Sequence, residues 1–384
     1  MAIDPRELTQ KEQDLLAAAV AFRTDYVEPH AAAWARQGKM PRAYFEEASK
    51  HGLCALLVPQ ELGGKGLSYN GLAAILSTLA DACFSSTFAL VVHNNLAANI
   101  ARNGSSEHHA FLPAMIAGEK IGAFLLTEPG AGSDAAAIST TAKVSKDAIR
   151  LSGDKAWSTN GGIADLLSVY AQTSPGAGSK GIANYLVEAQ TNGVQNSKPY
   201  DLFGVGAMNV SGFNFDNVIL ARKSEMIAPG KAFKAAMQGI DLARTMVAVM
   251  SAAMLQRSLH EAISYIKKRT AFGQAIANYQ YPQHLLADVA TDLVAANALN
   301  AQAVTALAND DNATTVAAHA KKFATKIALQ RIADCMQIMG AAGALGEFPL
   351  SRHLACAKLA QYVDGTSEIQ NVVIAREMFR AHES

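Results

Sequence analysis

The sequence predicts an α+β fold with three consecutive parts: an N-terminal all-α domain, a middle antiparallel β-barrel domain and a C-terminal four-helix bundle. Two observations support this prediction. Apolar residues recur at three- and four-residue spacing near both ends of the chain, whereas the middle third consists of short, partly alternating segments. Strands and helices do not alternate along the chain, so a Rossmann-type domain is not expected.

The first part is expected to span residues 1–117. The segment QKEQDLLAAAVAFRTDYV has helical apolar spacing, and the glycines of ELGGKGLS interrupt the pattern as a loop does. The charged start, MAIDPRELTQKEQDLL, has no apolar core. We interpret it as a helix of the mature protein and not as a signal peptide.

The second part is expected to span residues 118–230 and the third residues 231–384. Segments such as KIGAFLLTE and SGFNFDNVIL are bounded by Gly, Asn or Asp, which is typical of strands in an antiparallel sheet or small barrel. The last part contains long, Ala-rich segments such as PQHLLADVATDLVAANALNAQAVTAL, which predict helices that pack as a bundle.

Composition excludes several function classes. Of the 384 residues, 33 are Lys or Arg and 33 are Asp or Glu, so a nucleic-acid interface or polybasic membrane surface is not expected. No apolar run approaches the ~20 residues of a membrane span. The four cysteines have no metal-site spacing, so we expect no metal and a reducing compartment. The cytoplasm is predicted, with the mitochondrial matrix as the alternative if a transit peptide has been removed.

Two segments of the middle part carry candidate ligand-binding residues, and each also has a plain structural interpretation. In FLLTEPGAGSDAAA, the glycines let a planar or charged ligand approach the backbone, or the segment is a capped turn. In GDKAWSTNGGIAD, the Trp stacks on a flat cofactor at the end of a strand, or it is a core residue.

Three segments of the last part are similarly ambiguous. KKRTAFGQAIANYQ binds phosphate or is a helix end that favours cations. CMQIMGAAGALGEFPLSR is a glycine-rich ligand contact or an ordinary C-cap. In YVDGTSEIQ, Asp364 is a helix cap or a base that removes a proton.

Taken together, the order of these motifs resembles that of the acyl-CoA dehydrogenase family. The matching stretches run the length of the chain: PQELGGKG, LLTEPGAGSD, GDKAWSTNGG, FDNVIL, RTAFGQAI, QIMGAAGALGEFP and VDGTSEIQNVVIAREM. The resemblance implies the three domains already predicted, non-covalent FAD between them, and a homotetramer, or a dimer, in which a neighbouring subunit touches each FAD. It also implies α,β-dehydrogenation of an acyl-CoA thioester, with the electrons usually passing to electron-transfer flavoprotein.

In the family, a carboxylate takes the α-proton and the β-hydrogen leaves as hydride to flavin N5. The resemblance makes Asp364 this base. It implies cofactor contacts at Thr127, Trp157, Thr159, Phe272, Gln280, Thr366 and Glu368. Arg269, Gln337 and Gly340 resemble the residues that a neighbouring subunit lends to the FAD. It implies substrate contacts at Ser133, Asp241, Arg244, His93 and Asn94. His93 and Asn94 have an equal alternative, which is that they face a loop or cap a helix.

The sequence departs from the family pattern at the base. Asp364 and Val363 replace the usual Glu and Tyr, and Ala243 stands where a second branch carries its Glu. Asp is shorter by about 1.5 Å, and a misplacement of ~1 Å can cost ~10²-fold in rate. We therefore expect an acyl group that is α-branched, alicyclic or otherwise bulky at Cα. Two further departures are ACAK in place of the usual RDAK, and Gly206 at a position where many members carry Arg.

Two alternative functions compete with this prediction. A nitroalkane-oxidase-like flavoenzyme would also use Asp364 as its base and would favour a cation beside it, but Asn371 stands seven residues on, where that cation would lie on the same helical face. The other alternative is a non-catalytic FAD-binding relative, although Trp157, Thr159 and Asp364 are all retained.

Overall fold

In the computed structural model, residues 5–309 and 313–383 are described. Residues 1–4, where the predicted N-terminal helix begins, lie outside the described residues. The N-terminal part is helical, as predicted. Its helices are α1 (Gln10–Phe22), α2 (Glu28–Gln37), α3 (Ala43–Lys50), α4 (Tyr69–Ala82), α5 (Phe84–Asn103), α6 (Ser106–His109) and α7 (Leu112–Ile116).

One buried carboxylate joins the starts of two of these helices. Thr9 and Glu12 form a capping box at the start of α1, in which each side chain accepts a hydrogen bond from the other residue's backbone. The second carboxylate oxygen of Glu12 accepts hydrogen bonds from the backbone and hydroxyl of Ser68, which caps α4. This shared carboxylate fixes α1 against α4, so the helical layer packs as a unit.

The middle part is an eight-stranded sheet. Its strands are β1 (Gly122–Leu125), β2 (Thr141–Val144), β3 (Ala148–Ser158), β4 (Leu166–Gln172), β5 (Ile182–Glu188), β6 (Val194–Asn196), β7 (Ser211–Ala221) and β8 (Glu225–Ile227). The strand order is β6-β7-β3-β2-β4-β5-β8, and β1 also pairs with β4.

This topology corrects the predicted antiparallel barrel in two respects. β1 and β2 both pair with β4 in parallel. The terminal strands β6 and β8 do not pair with each other in the described part of the chain, so the pairings do not close a barrel. Short alternating segments predict strands but carry no information about which strands become neighbours. The sequence therefore could not distinguish an antiparallel barrel from this mixed sheet.

The C-terminal part is a helical bundle around α10. Its elements are α8 (Ala232–Lys268), β9 (Thr270–Ala271), β10 (Gln274–Ala275), α9 (Gln280–Asn309), α10 (Ala313–Met339), α11 (Leu350–Ala360) and α12 (Ser367–Glu383). Three long helices are therefore completed by two shorter ones, where the sequence predicted four. Among the helices of the described ranges, none is long and apolar enough to cross a membrane.

A close backbone contact joins the N-terminal helices to the sheet domain. A Cβ atom on Gly206 would lie 2.2 Å from the Cα of Gly38, at the left-handed end of α2. Beside it, the Asn209 side chain donates to the Met40 carbonyl at 3.0 Å and accepts from the Met40 N–H at 3.4 Å. Any side chain at 206 would push these two parts of the chain apart, so the close contact requires glycine at this position.

Candidate active site

Asp364 lies in the short loop between α11 and α12. Asp364 and Gly365 have φ angles of +53° and +94°, so the loop turns through the left-handed region at two successive residues. Asp tolerates this region better than most residues, and glycine adopts it freely. The next residue caps α12, since Thr366 Oγ1 accepts a hydrogen bond from Ile369 N–H at 3.4 Å. The cap is therefore Thr366, and the Asp364 carboxyl has another role.

Arg244 of α8 holds this loop by its backbone. Its Nε donates to the Asp364 carbonyl oxygen at 2.9 Å. Its Nη1 donates to Asp241 Oδ1 at 2.9 Å, and Thr314 Oγ1 donates to Asp241 Oδ2 at 2.5 Å. Asp241 and Arg244 are both buried. The guanidinium is thus oriented by a carboxylate one turn earlier on its own helix, and Asp241 acts on the loop through Arg244.

The next carbonyl of the loop is held from two other helices. Lys321 Nζ of α10 donates to the Gly365 oxygen at 2.6 Å, and Gln370 Nε2 of α12 donates to the same oxygen at 2.9 Å. A Cβ atom on Gly365 would lie 3.1 Å from Arg244 Nη2 and 3.1 Å from Gln370 Nε2. Glycine is therefore required here by the backbone conformation and by the side chains that surround it.

The Asp364 carboxyl itself is left free. Its Oδ2 is buried and accepts no hydrogen bond from the described residues. Burial raises the pKa of Asp364 to about 6, although the charges of Lys321 and Arg244 favour its ionised form. The carboxyl is therefore ionised at neutral pH and is a stronger base than an ordinary Asp.

A second group of site residues lies where β1 runs into the TEPGAGS loop. Glu128 and Lys155 form a buried ion pair at 2.8 Å, and Glu128 also accepts from the backbone of Ser139 and Thr140. Burial opposes ionisation of Glu128, but Lys155 and these hydrogen bonds outweigh it and lower the pKa of Glu128 far below its usual range. The Thr127 backbone carbonyl accepts a hydrogen bond from the Ala156 N–H at 2.9 Å, and this hydrogen bond fixes the loop against β3.

Trp157 stands beside this loop and is not a core residue. Its φ is +59°, 58% of its surface is exposed, and its ring centroid lies 4.7 Å from that of Tyr200. The left-handed backbone at this position is strained for a bulky residue, and such strain clusters at functional sites. Thr159, two residues later, is buried. Ser133 is exposed, and a Cβ atom on Gly130 would meet nothing within 4 Å, so the loop surface is open to a ligand.

The cofactor contacts predicted after α8 and at the end of α10 are all on the surface of this chain. Phe272 is 98% exposed at the tip of the β9–β10 hairpin, where it and Gly273 have φ angles of +51° and +84°. Positive φ at both central residues matches a two-residue hairpin turn of the I′ type. The other four members of this set are also exposed: Arg269, Gln280, Gln337 and Gly340. Glu368, at the start of α12, is exposed as well.

His93 and Asn94 have structural roles in α5. His93 is fully buried, and its two ring nitrogens lie 3.1 Å from the Met115 carbonyl oxygen and 3.3 Å from the Gly122 nitrogen. Burial lowers the pKa of His93 to about 4, so the ring is neutral. Asn94 bonds to the backbone at Leu56 and Leu53. These contacts match the alternative in which the two residues face backbone segments of neighbouring loops.

The ACAK departure replaces charged residues by a neutral contact. Cys356 Sγ lies 3.2 Å from Ser85 Oγ of α5, and burial raises the pKa of the thiol to about 12. A Cβ atom on Gly204 would lie 2.4 Å from the Ala355 Cβ. The helix that leads into the base loop is thus supported by close packing of small residues.

Sequence reasoning missed three residues that hold the site: Lys321, Thr314 and Gln370. Lys321 carried a signal, because in TVAAHAKKFATKIAL it falls on the same helical face as Ala317 and Ala324. A Lys on an apolar helix face either extends its ammonium group to solvent or pairs it with a group in the interior. Thr314 and Gln370 carried no such signal.

Comparisons with known proteins identify the fold and the family. Residues 9–119, 123–218 and 230–379 match the N-terminal, middle and C-terminal domain models of acyl-CoA dehydrogenase. The human short-chain specific acyl-CoA dehydrogenase, a mitochondrial protein, is 34% identical over 380 residues, covering 98% of this chain and 92% of that protein. The chain belongs to the acyl-CoA dehydrogenase family.

Solved structures of similar proteins support this result. Butyryl-CoA dehydrogenase from Megasphaera elsdenii superposes with a TM-score of 0.93 at 29% identity, covering 97% of this chain and 99% of that one. PigA, solved with FAD and proline, superposes with a TM-score of 0.90 at 25% identity, covering 97% and 98%. The predicted family and the order of the three domains are thereby confirmed.

Proposed function

We propose that this acyl-CoA dehydrogenase family member is an FAD-dependent enzyme that removes hydrogen from Cα and Cβ of an acyl-CoA thioester, with Asp364 as the base. One observation carries the proposal. Oδ2 of the Asp364 carboxyl is buried without a hydrogen-bond partner among the described residues, while two cations bind the carbonyls of its loop. A structural carboxylate would be paired with those cations, so this arrangement is that of a base kept free for a substrate.

The residues of the TEPGAGS loop and of β3 fit the cofactor. An exposed Trp157 with a strained backbone and an open glycine loop offer a flat, approachable surface. Thr127 and Thr159 supply hydroxyls beside it, and Thr366 and Glu368 lie just after the base loop. We propose that these residues hold FAD, which when bound accepts the hydride that leaves Cβ.

The chain's own residues act on the α-proton. At neutral pH the Asp364 carboxylate is ionised, because its pKa of about 6 lies below the pH. A thioester α-proton is far less acidic than a carboxylic acid, so the developing enolate oxygen needs hydrogen-bond donors. The Asp364 backbone N–H makes no backbone hydrogen bond within the described ranges and is available as one such donor. Arg244 holds the residue that carries both groups, because it binds the Asp364 carbonyl oxygen.

The length of the base side chain limits which acyl groups place their Cα within its reach. Asp364 lacks a methylene relative to Glu, and Val363 beside it is partly buried and packs against the main core. A substrate whose Cα carries a ring or branch brings that carbon closer to a shorter base. The complex of PigA with proline shows a ring compound bound to a protein of this fold. We propose an α-branched or alicyclic acyl group.

The test compares CoA thioesters that differ only in the acyl group. Steady-state turnover is measured with butyryl-, octanoyl-, isobutyryl- and cyclohexanecarboxyl-CoA for the wild type and for Asp364→Glu. The branched or cyclic thioesters should give the higher kcat/KM in the wild type, and the longer Glu should move the preference towards straight chains. A wild-type preference for butyryl- or octanoyl-CoA would refute the substrate proposal and leave the base assignment intact.

The exposed set on the C-terminal helices supports a proposal about assembly. Arg269, Phe272 and Gln337 extend from the surface of this chain, where they are free to contact FAD bound to another copy. We propose a homotetramer in which each copy lends these groups to a neighbour. Electron-transfer flavoprotein is the proposed acceptor, and Ser133 the proposed pantetheine contact. Arg269→Ala should then lower FAD content without changing the environment of Asp364.

A nitroalkane substrate is the second candidate. The branch with an Asp base favours a nearby cation, and here Lys321 and Arg244 act electrostatically on Asp364 although Asn371 is neutral. Both cations, however, donate to backbone carbonyls. Anaerobic bleaching of bound flavin by nitroethane but not by any CoA thioester would favour this candidate, and bleaching by neither would favour a non-catalytic relative.

A further inference from the structure

Lys321 is a buried cation to which no carboxylate of residues 5–309 and 313–383 is hydrogen-bonded. It lies in the middle of α10 and is 1% exposed. The described contact of its ammonium group is the hydrogen bond to the Gly365 carbonyl oxygen at 2.6 Å. Removing an ammonium group from water is costly unless its three donors are satisfied or its charge is compensated. A residue that pays this cost for one backbone carbonyl is placed for more than packing.

The charged groups that face Lys321 come from three other parts of the chain. Asp364 and Glu368 favour the protonated ammonium, and Arg244 of α8 opposes it. Asp241 compensates Arg244 directly, at 2.9 Å. Burial dominates and lowers the pKa of Lys321 to about 8. The ammonium is therefore charged at neutral pH, and Asp364 is the first group among those that favour its charge.

We propose that Lys321 is a positioning residue for the base, which holds the Gly365–Thr366 peptide group through its carbonyl oxygen and keeps the Asp364 carboxyl ionised by its charge. The assignment rests on the proposed function, in which Asp364 takes the α-proton. Lys321 acts through Asp364 and does not touch the substrate.

The geometry gives Lys321 a task that Arg244 cannot perform alone. Arg244 from α8 binds the carbonyl of Asp364, and Lys321 from α10 binds the carbonyl of Gly365. Two successive peptide groups in left-handed conformation are thus held from two helices. If either contact is removed, the peptide group that it held can rotate, and the Asp364 carboxyl moves with the loop.

The charge of the Lys321 ammonium group, and the atom that it binds, also distinguish Lys321 from a residue that serves only in packing. If its ammonium bound the carboxyl, it would lower the basicity of Asp364 and block the approach of a substrate. Because it binds the adjacent carbonyl, its charge acts on Asp364 while Oδ2 stays unpaired. A nearby opposite charge lowers a carboxyl pKa by about 1–3 units. Without Lys321, the pKa of Asp364 should therefore rise further above its usual range.

The test uses three variants of the FAD-loaded enzyme: Lys321→Met, Lys321→Arg and, as a matched control, Lys322→Met. Lys322 is the adjacent, exposed residue, so its replacement removes the same charge from α10 without touching the loop. We expect Lys321→Met to lower kcat by about 10–100-fold, with KM for the CoA thioester within twofold. The acidic limb of its kcat/KM profile should move up by about one pH unit. Lys321→Arg should restore the limb, and Lys322→Met should match the wild type.

A second readout does not depend on turnover. The protonated carboxyl of Asp364 is titrated by infrared difference spectroscopy and is assigned by its loss in Asp364→Asn. Its midpoint should rise by about one pH unit in Lys321→Met and stay unchanged in Lys322→Met. An unchanged midpoint in Lys321→Met would overturn the proposal, even if that variant lost activity through misfolding. If no CoA thioester reduces the wild-type flavin, the proposed function fails, while the infrared titration still tests the role of Lys321.

Discussion

Replacing the base should stabilise the protein while inactivating it. Burial raises the pKa of Asp364 from 3.8 to about 6, so ionisation in the folded state is disfavoured by about 3 kcal/mol. Asp364→Asn removes the ionisable group but keeps the size and the tolerance of a left-handed backbone. At neutral pH the variant should therefore have a higher free energy of unfolding than the wild type, by an amount approaching this value.

The pH dependence follows from the direction of the shift. Below pH 3.8 the carboxyl is protonated in both the folded and the unfolded chain, and the substitution has no electrostatic effect. Between about pH 4 and 6 the unfolded chain releases its proton first, so the wild type loses stability as the pH rises. Above about pH 6 the loss is complete. The advantage of the Asn variant should be about 1.6 kcal/mol at pH 5 and about 3 kcal/mol at pH 8.

Urea unfolding at the two pH values, at equal protein concentration and saturating FAD, measures these differences. Asp147→Asn, in the exposed β2–β3 turn, is the matched control and should change the free energy of unfolding equally little at both pH values. A variant that is less stable than the wild type at pH 8 would refute the conclusion that burial of the Asp364 carboxyl outweighs the nearby charges of Lys321 and Arg244. An advantage that does not grow between pH 5 and pH 8 would refute the raised pKa.

The loop contacts lead to three further predictions. Gly365→Ala places a Cβ 3.1 Å from Arg244 Nη2 and should lower kcat by about 10–100-fold with little change in KM, measured by steady-state kinetics; an unchanged kcat would show that the loop tolerates the shift. Arg244→Met should lower kcat similarly, and its α-proton exchange in labelled water should slow in parallel; exchange at the wild-type rate would contradict a positioning role. Lys155→Met leaves Glu128 buried without its partner and should lower the free energy of unfolding by about 3–5 kcal/mol, seen in urea titrations; Lys155→Met with Glu128→Gln should recover much of that loss.

Much of the fold could be predicted because it depends on local periodicity. Helical spacing identified the long C-terminal helices, and short alternating segments identified the strands. The structure does not show a closed barrel and makes two of the strand pairings parallel, which the sequence could not predict because strand pairing depends on contacts between distant segments. The same reason limited the site: Asp364 and Arg244 followed from the family resemblance, but the contact of Lys321 with Gly365 joins residues 44 positions apart.

His93 shows a second limit. The family resemblance implied a substrate contact at this residue, but the direction of its side chain depends on how α5 packs. In the structure both ring nitrogens face backbone atoms of other segments. Trp157 shows the reverse, because a core position was the plainer interpretation and the structure exposes it. The cytoplasmic location and the oligomeric state stay predictions.

The most direct test of the account is anaerobic reduction of the bound flavin by a CoA thioester that the wild type accepts. The flavin absorbance is followed in a stopped-flow instrument for the wild type and for Asp364→Asn at pH 8. The account predicts rapid bleaching in the wild type and a rate at least about 10²-fold lower in the variant, because no other side chain at the loop can take the proton. Bleaching of the Asp364→Asn flavin at the wild-type rate would contradict the assignment of Asp364 as the base.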